Sequence, residues 1–407
     1  MATLHPFRAL RPLPDKVEAV ASVPYDVIST EEARRMAQGK PDSFLHVIRP
    51  EIDYPVGIDE HADVVYEKGA KNLRRYARSS ISLTEKQPAL YVYRLVMHGR
   101  EQTGLFGCVA VDEYDDDTIL KHENTRPDKE DDRTRHILTQ RAHAEPVMLT
   151  YRDDEAVNQR VEAIKQGEAL YDFTADDGVR HTLWKADDAE ALVEAFRAVD
   201  VLYVADGHHR CKAASRAAET LRPSATNGQS AEFGFFPAVL FPMSQMHILP
   251  YNRIVYRLPL APEDLLEELA HVCHLERGVA DPTPNIPGEV CLYMQGQWHR
   301  LELPASRRAT VADRLDVARL SEYLLEPLLD IDDPRTDPNI DFIGGIRGTD
   351  ELEQRVDSGE AELAISMYAT SIEELVAVSD AGLLMPPKST WFEPKLRSGL
   401  LVHLFDE

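Results

Sequence analysis

V-L-Y-V-A-D-G-H-H-R-C-K-A-A-S-R-A-A, residues 201–218, reads as a strand that runs into a helix through a short polar turn. The apolar, β-prone run Val201–Val204 stops at Asp206-Gly207, and His208-His209-Arg210 opens an Ala-rich segment with helical propensity. A strand feeding a helix in this way leaves backbone N–H groups at the positive end of the helix dipole. Arg210 adds a fixed charge suited to bidentate oxyanion contacts, and the two histidines add donors. The arrangement predicts a phosphate site. The same residues also describe a surface strand–turn–helix in which Asp206 caps the helix.

Working outward, the chain alternates strand-like and helix-like segments, which predicts a mixed α/β (α+β) fold. Ser29-Thr30-Glu31-Glu32 is a capping box opening a short helix. Ser43–Ile48 alternates as a strand, and Asp59–Ser79 has helical periodicity. Ala89–Met97 and Gln102–Val111 predict two strands around a His98-Gly99-Arg100 turn. Asp112–Asp117 reads as an acidic loop, Ile137-Leu138 as part of a helix, and Pro146–Leu149 as a strand. An amphipathic helix is expected over 188–199, and a flexible loop from Pro223 to Ser230. Strands at 235–241, 254–258, 289–294, 298–303 and 362–369, with helices at 262–270, 316–329 and 371–380, complete the pattern. A boundary near residue 255 divides a catalytic region, 1–255, from a C-terminal α+β region, 256–407.

The net charge of −25 opposes binding to a nucleic-acid backbone, so no nucleic-acid partner is expected. It leaves open a small anionic ligand held by a local group of cations. No apolar run is long enough to span a bilayer, and the first residues lack the features of a signal peptide. Cys108, Cys211, Cys273 and Cys291 are scattered without a Cys-x-x-Cys pair. His271-Val272-Cys273-His274 has metal-ligand residue types but no second pair to complete a zinc site. The expectation is a reduced, cytoplasmic protein with no membrane partner.

Three polar clusters stand out. In Lys121-His122-Glu123-Asn124-Thr125-Arg126 a carboxylate lies among cations and amides, suited to a general base beside a phosphate-holding Arg126. Read blandly, it is one charge-rich loop followed by a solvated helix start, Glu130-Asp131-Asp132-Arg133-Thr134-Arg135. The second cluster, Met385–Gly399, holds Lys388, Lys395 and Arg397 with Ser389, Thr390, Trp391 and Phe392. It suits an anion and a stacked base, or equally a Pro-rich tail packed on the core. The third, Asp330–Gly345, is rich in Asp but fails the EF-hand order at Pro334 and Arg335, so a structural loop with Asx-turns is expected.

Phe7-Arg8, Val23-Pro-Tyr-Asp-Val-Ile-Ser29, His122-Glu123, Ala205–Arg210, Asp332–Gly345 and Lys388–Lys395 together resemble the DUF1015 family of bacterial proteins. Asp-Gly-His-His-Arg is in turn similar to the signature of the ParB/sulfiredoxin-like superfamily, and within it to the free-serine kinases. The resemblance implies a ParB/sulfiredoxin-like nucleotide-binding core with large additional α/β elements. It further implies a phosphotransferase acting between ADP or ATP and the hydroxyl of free L-serine, or in reverse on phosphoserine. Glu123 would be the base, with Asp206, His208, His209 and Arg210 in the catalytic turn. His122, Thr125, Arg126, Gly207, Lys388, Ser389, Thr390, Lys395 and Arg397 would bind nucleotide and phosphate, and Asp206 would hold Mg²⁺. Two alternatives are a ParB-like nucleotide switch without kinase activity and a sulfiredoxin-like ATP-dependent enzyme. The latter chemistry places a reactive Cys before His-Arg, where this chain has His208, with Cys211 after Arg210.

Overall fold

The computed structural model describes residues 1–224 and 232–405, and its fold is mixed α/β. Most of the loop expected over 223–230 therefore lies outside the described residues. The chain forms two compact units: one of Met1–Lys121, Thr125–Met246 and Pro394–Glu407, the other of His122–Asn124 and His247–Glu393.

The first unit is built on an eight-stranded sheet, in the order Ile119–Leu120, Leu202–Asp206, Val147–Tyr151, Phe235–Pro242, Arg100–Ala110, Tyr91–Met97, Arg180–Lys185, Tyr171–Thr174. It is mixed: Val147–Tyr151 runs parallel to Phe235–Pro242 and antiparallel to Leu202–Asp206. Both faces are covered. Val92 and Leu105 join one core with Leu149, Leu202, Val204 and Leu240, while Tyr91, Tyr93 and Phe106 are fully buried as well. A strand buried on both faces loses the simple alternation that marks a half-exposed one. The expected hairpin is present: Met97 pairs with Arg100, and both residues of the two-residue turn between them, His98 and Gly99, have positive φ. That is the backbone a tight hairpin requires.

Helix His208–Leu221 owes its packing to small residues on two faces. Cys211, Ala214 and Ala218 lie in the core under the sheet, while Ala213 and Ala217 meet Ile137 of helix Pro127–Gln140. A four-stranded sheet, Ser82–Thr84, Ala9–Pro12, Val402–Leu404, Ala142–His143, completes this unit.

Two expectations in it are corrected. Ser43–Ile48 is not a strand: Leu45–Ile48 is a helical turn, in which Phe44, Leu45, Val47 and Ile48 all enter one core cluster with Tyr76. A strand buries alternate residues on one face, whereas a short helical turn wedged into a core buries nearly all of them. The acidic stretch is helical over Val111–Asp115, because Val111 and Tyr114, one turn apart, are both buried.

The second unit holds a six-stranded antiparallel sheet, in the order His274–Val279, Gln297–Glu302, Glu289–Met294, Leu363–Met367, Tyr251–Val255, Ile340–Gly344. Ile254, Cys291, Tyr293, Ile343, Leu352 and Ala364 form its core. The chain is helical from Asp316 to Leu329, with a π-helical turn over Ser321–Leu325. Among the described residues no helix is long and apolar enough to cross a membrane.

Candidate functional site

The turn at 206–210 has the anticipated form. Strand Leu202–Asp206 shifts register against Val147–Tyr151 between Val204 and Asp206, at the strand end that leads into the turn. Gly207 follows at φ +101°, a backbone conformation L side chains rarely adopt, and a Cβ there would stand 3.1 Å from Val147 Cγ1. Gly207, not Asp206, is the N-cap residue, and having no side chain it makes no side-chain cap bond. The first intrahelical bond runs from Cys211 N–H to Gly207 O, at 2.9 Å. The N–H groups of His208, His209 and Arg210 thus precede the helical ladder, at the positive end of the dipole.

Around this turn charges are paired at close range. The Arg210 guanidinium, 8% exposed, donates to Pro146 O and lies 3.5 Å from Asp206 Oδ2 and 3.6 Å from Asp26 Oδ2. Burial disfavours its charge, but Asp26, Asp206 and Glu145 more than offset this and hold it protonated. Lys395 Nζ stands 3.6 Å from the same Asp206 oxygen, so one carboxylate is shared by two cations. Arg126 N–H donates to His209 Nε2 at 3.1 Å, fixing that ring as an acceptor on this side.

Behind Arg210 runs a buried network that the sequence reading left as a solvated helix start. Asp132 and Arg133 are both buried, joined from Nε and Nη2 of Arg133 at 2.8 and 2.6 Å. Arg133 stacks over the Tyr25 ring at 3.9 Å and reaches to 3.8 Å from Glu145 Oε2. Burial raises the Glu145 carboxyl above its ordinary range, against the lowering pull of Arg210 and Arg133. Tyr25-Asp26 fall within Val23–Ser29, a stretch that carries the family resemblance, so the sequence holds a signal for them. The inward-facing Arg133 and Glu145 carried none.

Other predicted residues of this unit are engaged elsewhere. The Arg126 guanidinium is exposed and paired with Asp128 at 2.8 Å, and Thr125 Oγ1 donates to Glu130 at 2.5 Å. Arg397 is buried against Asp177 and donates from Nε to His181 Nε2 at 3.2 Å.

In the second unit, His122 and the 385–393 segment are tied together. Met385 N–H donates to His122 O at 2.7 Å, and His122 Nε2 lies 3.4 Å from Thr390 Oγ1. Lys388 has φ +57° and sits over the Tyr251 ring at 5.3 Å. Its carbonyl accepts from the buried Arg253 at 3.2 Å, and Ser389 O accepts from Thr370 Oγ1 at 2.8 Å. Ser389 Oγ is spent on Pro386 O at 2.6 Å. Arg253 was not singled out in the sequence, although burial with no carboxylate beside it pulls its guanidinium down to about 10. Glu123 is half-buried and belongs to this unit.

The chain belongs to the DUF1015 family, described as proteins of unknown function, whose model matches residues 4–318. No curated protein matches it. Among solved structures it is similar to free serine kinase in complex with AMP, at 13% identity and TM-score 0.37, covering 72% of this chain and 92% of that one. SbnI with a C-terminal truncation, from Staphylococcus aureus, matches at 14% and TM-score 0.38, covering 74% and 87%. A conserved hypothetical protein from Pyrococcus furiosus matches at 12% and 0.36, covering 72% and 95%. Likeness at this level leaves the chemistry to be argued from the residues.

Proposed function

We propose that this protein transfers a phosphoryl group between an adenine nucleotide, ADP or ATP, and the hydroxyl of free L-serine, in either direction. The observation that carries the reading is the turn itself: helix N–H groups at Gly207–Arg210, with Asp206 held between Arg210 and Lys395. Phosphoryl transfer asks the protein mainly for positioning and for positive charge around the transferred group. Arg210, Lys395 and the first-turn amides offer that charge, with His208 and His209 as further donors. Asp206, whose side chain is still 28% exposed, is the carboxylate on this turn that would hold Mg²⁺, which when bound neutralises phosphate charge.

In the forward direction the serine oxygen attacks the terminal phosphorus and its proton passes to Glu123, the base assigned by the motif resemblance. The bond from phosphorus to the bridging oxygen breaks, leaving ADP from ATP or AMP from ADP. The sulfiredoxin-like alternative finds no support at Cys211, where burial pushes the thiol up to about 12, so almost no thiolate exists at neutral pH. Incubating the purified protein with L-serine, Mg²⁺ and ATP or ADP should yield phosphoserine, and phosphoserine with AMP or ADP should return serine. Nucleotide binding without either conversion would leave the switch-protein reading in its place.

A further inference from the structure

On the inner side of Arg210 lies a cavity of ≈ 40 Å³ open to the centres of water molecules. That is about three times the space one buried water needs. Its wall joins apolar side chains, Ile137, Val147 and Phe236 among them, to the charged or polar Arg133, His136, Gln140, His143, Glu145 and Arg210. Three buried polar atoms of this wall have no hydrogen-bond partner: Arg210 Nε, His136 Nδ1 and His143 Nε2. Their residues are 8%, 7% and 5% exposed, so bulk water does not satisfy them. An orphaned buried polar group is unfavourable, and three around one void point to an occupant.

The wall also specifies what the occupant is. Arg210 Nε is a permanent donor on a permanent cation and asks for a carboxylate or similar acceptor. Glu145 lines the same void: its Oε1 accepts from Tyr25 N–H and Ser398 Oγ, both at 3.1 Å, while its Oε2, 3.8 Å from Arg133 Nη1 and too far for a hydrogen bond to it, is the oxygen left to meet a cationic donor. Burial holds His136 and His143 neutral, each able to donate or accept but not to add charge. Acceptor-seeking cation, donor-seeking carboxylate and neutral imidazoles match a zwitterion carrying one small polar side chain. We propose that this cavity is the seat of a free small α-amino acid: carboxylate toward Arg210, ammonium toward Glu145, side chain toward the imidazoles. The inference deepens the phosphotransfer reading and rests on it only for the identity of that amino acid as the phosphoryl acceptor. Arg210 would then touch both partners, the phosphate at the helix start and the acceptor behind it.

The test is calorimetric titration of the full chain with L-serine, glycine, L-alanine and inorganic phosphate, without nucleotide. Two variants accompany it. His143→Phe keeps a ring against Phe236 and Phe405 but removes the orphaned nitrogen, and Ala144→Leu fills the void from its wall. Saturable binding of L-serine is expected, at least tenfold weaker in His143→Phe and lost in Ala144→Leu, with far-UV circular dichroism unchanged in both. Absence of binding by all three amino acids, binding of phosphate only, or equal L-serine affinity in both variants overturns the proposal. The two readings fail separately. Phosphoserine formation with an unaltered serine KM in His143→Phe removes the cavity site and leaves phosphotransfer standing. Cavity-dependent amino-acid binding without phosphoserine formation from any donor does the reverse.

Discussion

The turn at Asp206–Arg210 and the Lys388–Trp391 segment were both expected to bind anions, yet they are held in opposite ways. The turn is framed by ion pairs, with Arg210 and Lys395 sharing Asp206 and Asp26 close by. The Lys388 segment is pinned through its carbonyls, by Arg253 and Thr370, with its own serine folded back on Pro386. In the first, two positive side chains already share a carboxylate, the partner a phosphate would replace under the proposed function. In the second, the cation Arg253 is used on backbone and the geometry, not the charge, is what is secured. A cluster of cations in a sequence can therefore mean a charge reservoir or a scaffold.

The sharpest way to break the comparison is chemical. Glu123→Gln should lower phosphoserine formation by ~10²–10⁴-fold with nucleotide affinity little changed, the signature of general-base loss. Equal rates in variant and wild type remove the base. Arg210→Ala comes next. It takes the cation from the buried Glu145 and the donor from Pro146 O, while Asp26 and Asp206 are partly exposed and Asp206 keeps Lys395, so stability should drop by ~2–3 kcal/mol in urea titrations, and nucleotide affinity should fall with it. Unimpaired nucleotide binding in a folded Arg210→Ala protein would exclude the turn as the phosphate site.

A third, smaller effect follows pH. Burial alone would raise the Asp132 carboxyl, but the Arg133 charge and the Tyr66 hydroxyl that donates to it bring it down to about 2 from its ordinary 3.8. A lowered folded value contributes stability that is complete above pH 3.8 and is lost as pH falls through about 2. Asp132→Asn should therefore be less stable than wild type by ~2 kcal/mol near neutrality, the gap closing toward pH 2. A gap independent of pH would assign the loss to shape instead of charge. Least of all are the backbone effects. Gly207→Ala should cost ~1–2 kcal/mol for its left-handed conformation, whereas Lys388→Gly, which relieves such strain but loosens the unfolded chain, should shift stability by less than ~1 kcal/mol. Thermal unfolding of the pair orders the two turns.

The central turn was legible because its parts are local: an apolar run, a glycine and an alanine-rich helix are adjacent in the chain. The Met97–Arg100 hairpin was legible for the same reason. Asp132 and Arg133 were not, since a buried ion pair between adjacent residues has the same spelling as a solvated charge run. What distinguishes them is the Tyr25 ring and Glu145, brought from 108 and 12 residues away (133 − 25; 145 − 133) by the fold. Leu45–Ile48 failed for lack of length, because four residues span barely one helical turn and carry no resolvable period. Arg397 follows Lys395 by two residues, but the chain between them is irregular, and the two cations part company, Lys395 to Asp206 and Arg397 to Asp177.

All four cysteines are buried as free thiols, and Cys211 lies on the first turn of the helix that follows Gly207. A thiol in that position reacts only when its surroundings open. The rate at which a water-soluble alkylating reagent labels Cys211 is thus a clock for the opening of this helix start, read without substrate. Under the proposed function a nucleotide seated on the turn would slow that clock in proportion to its occupancy, making the thiol a built-in reporter of the ligand.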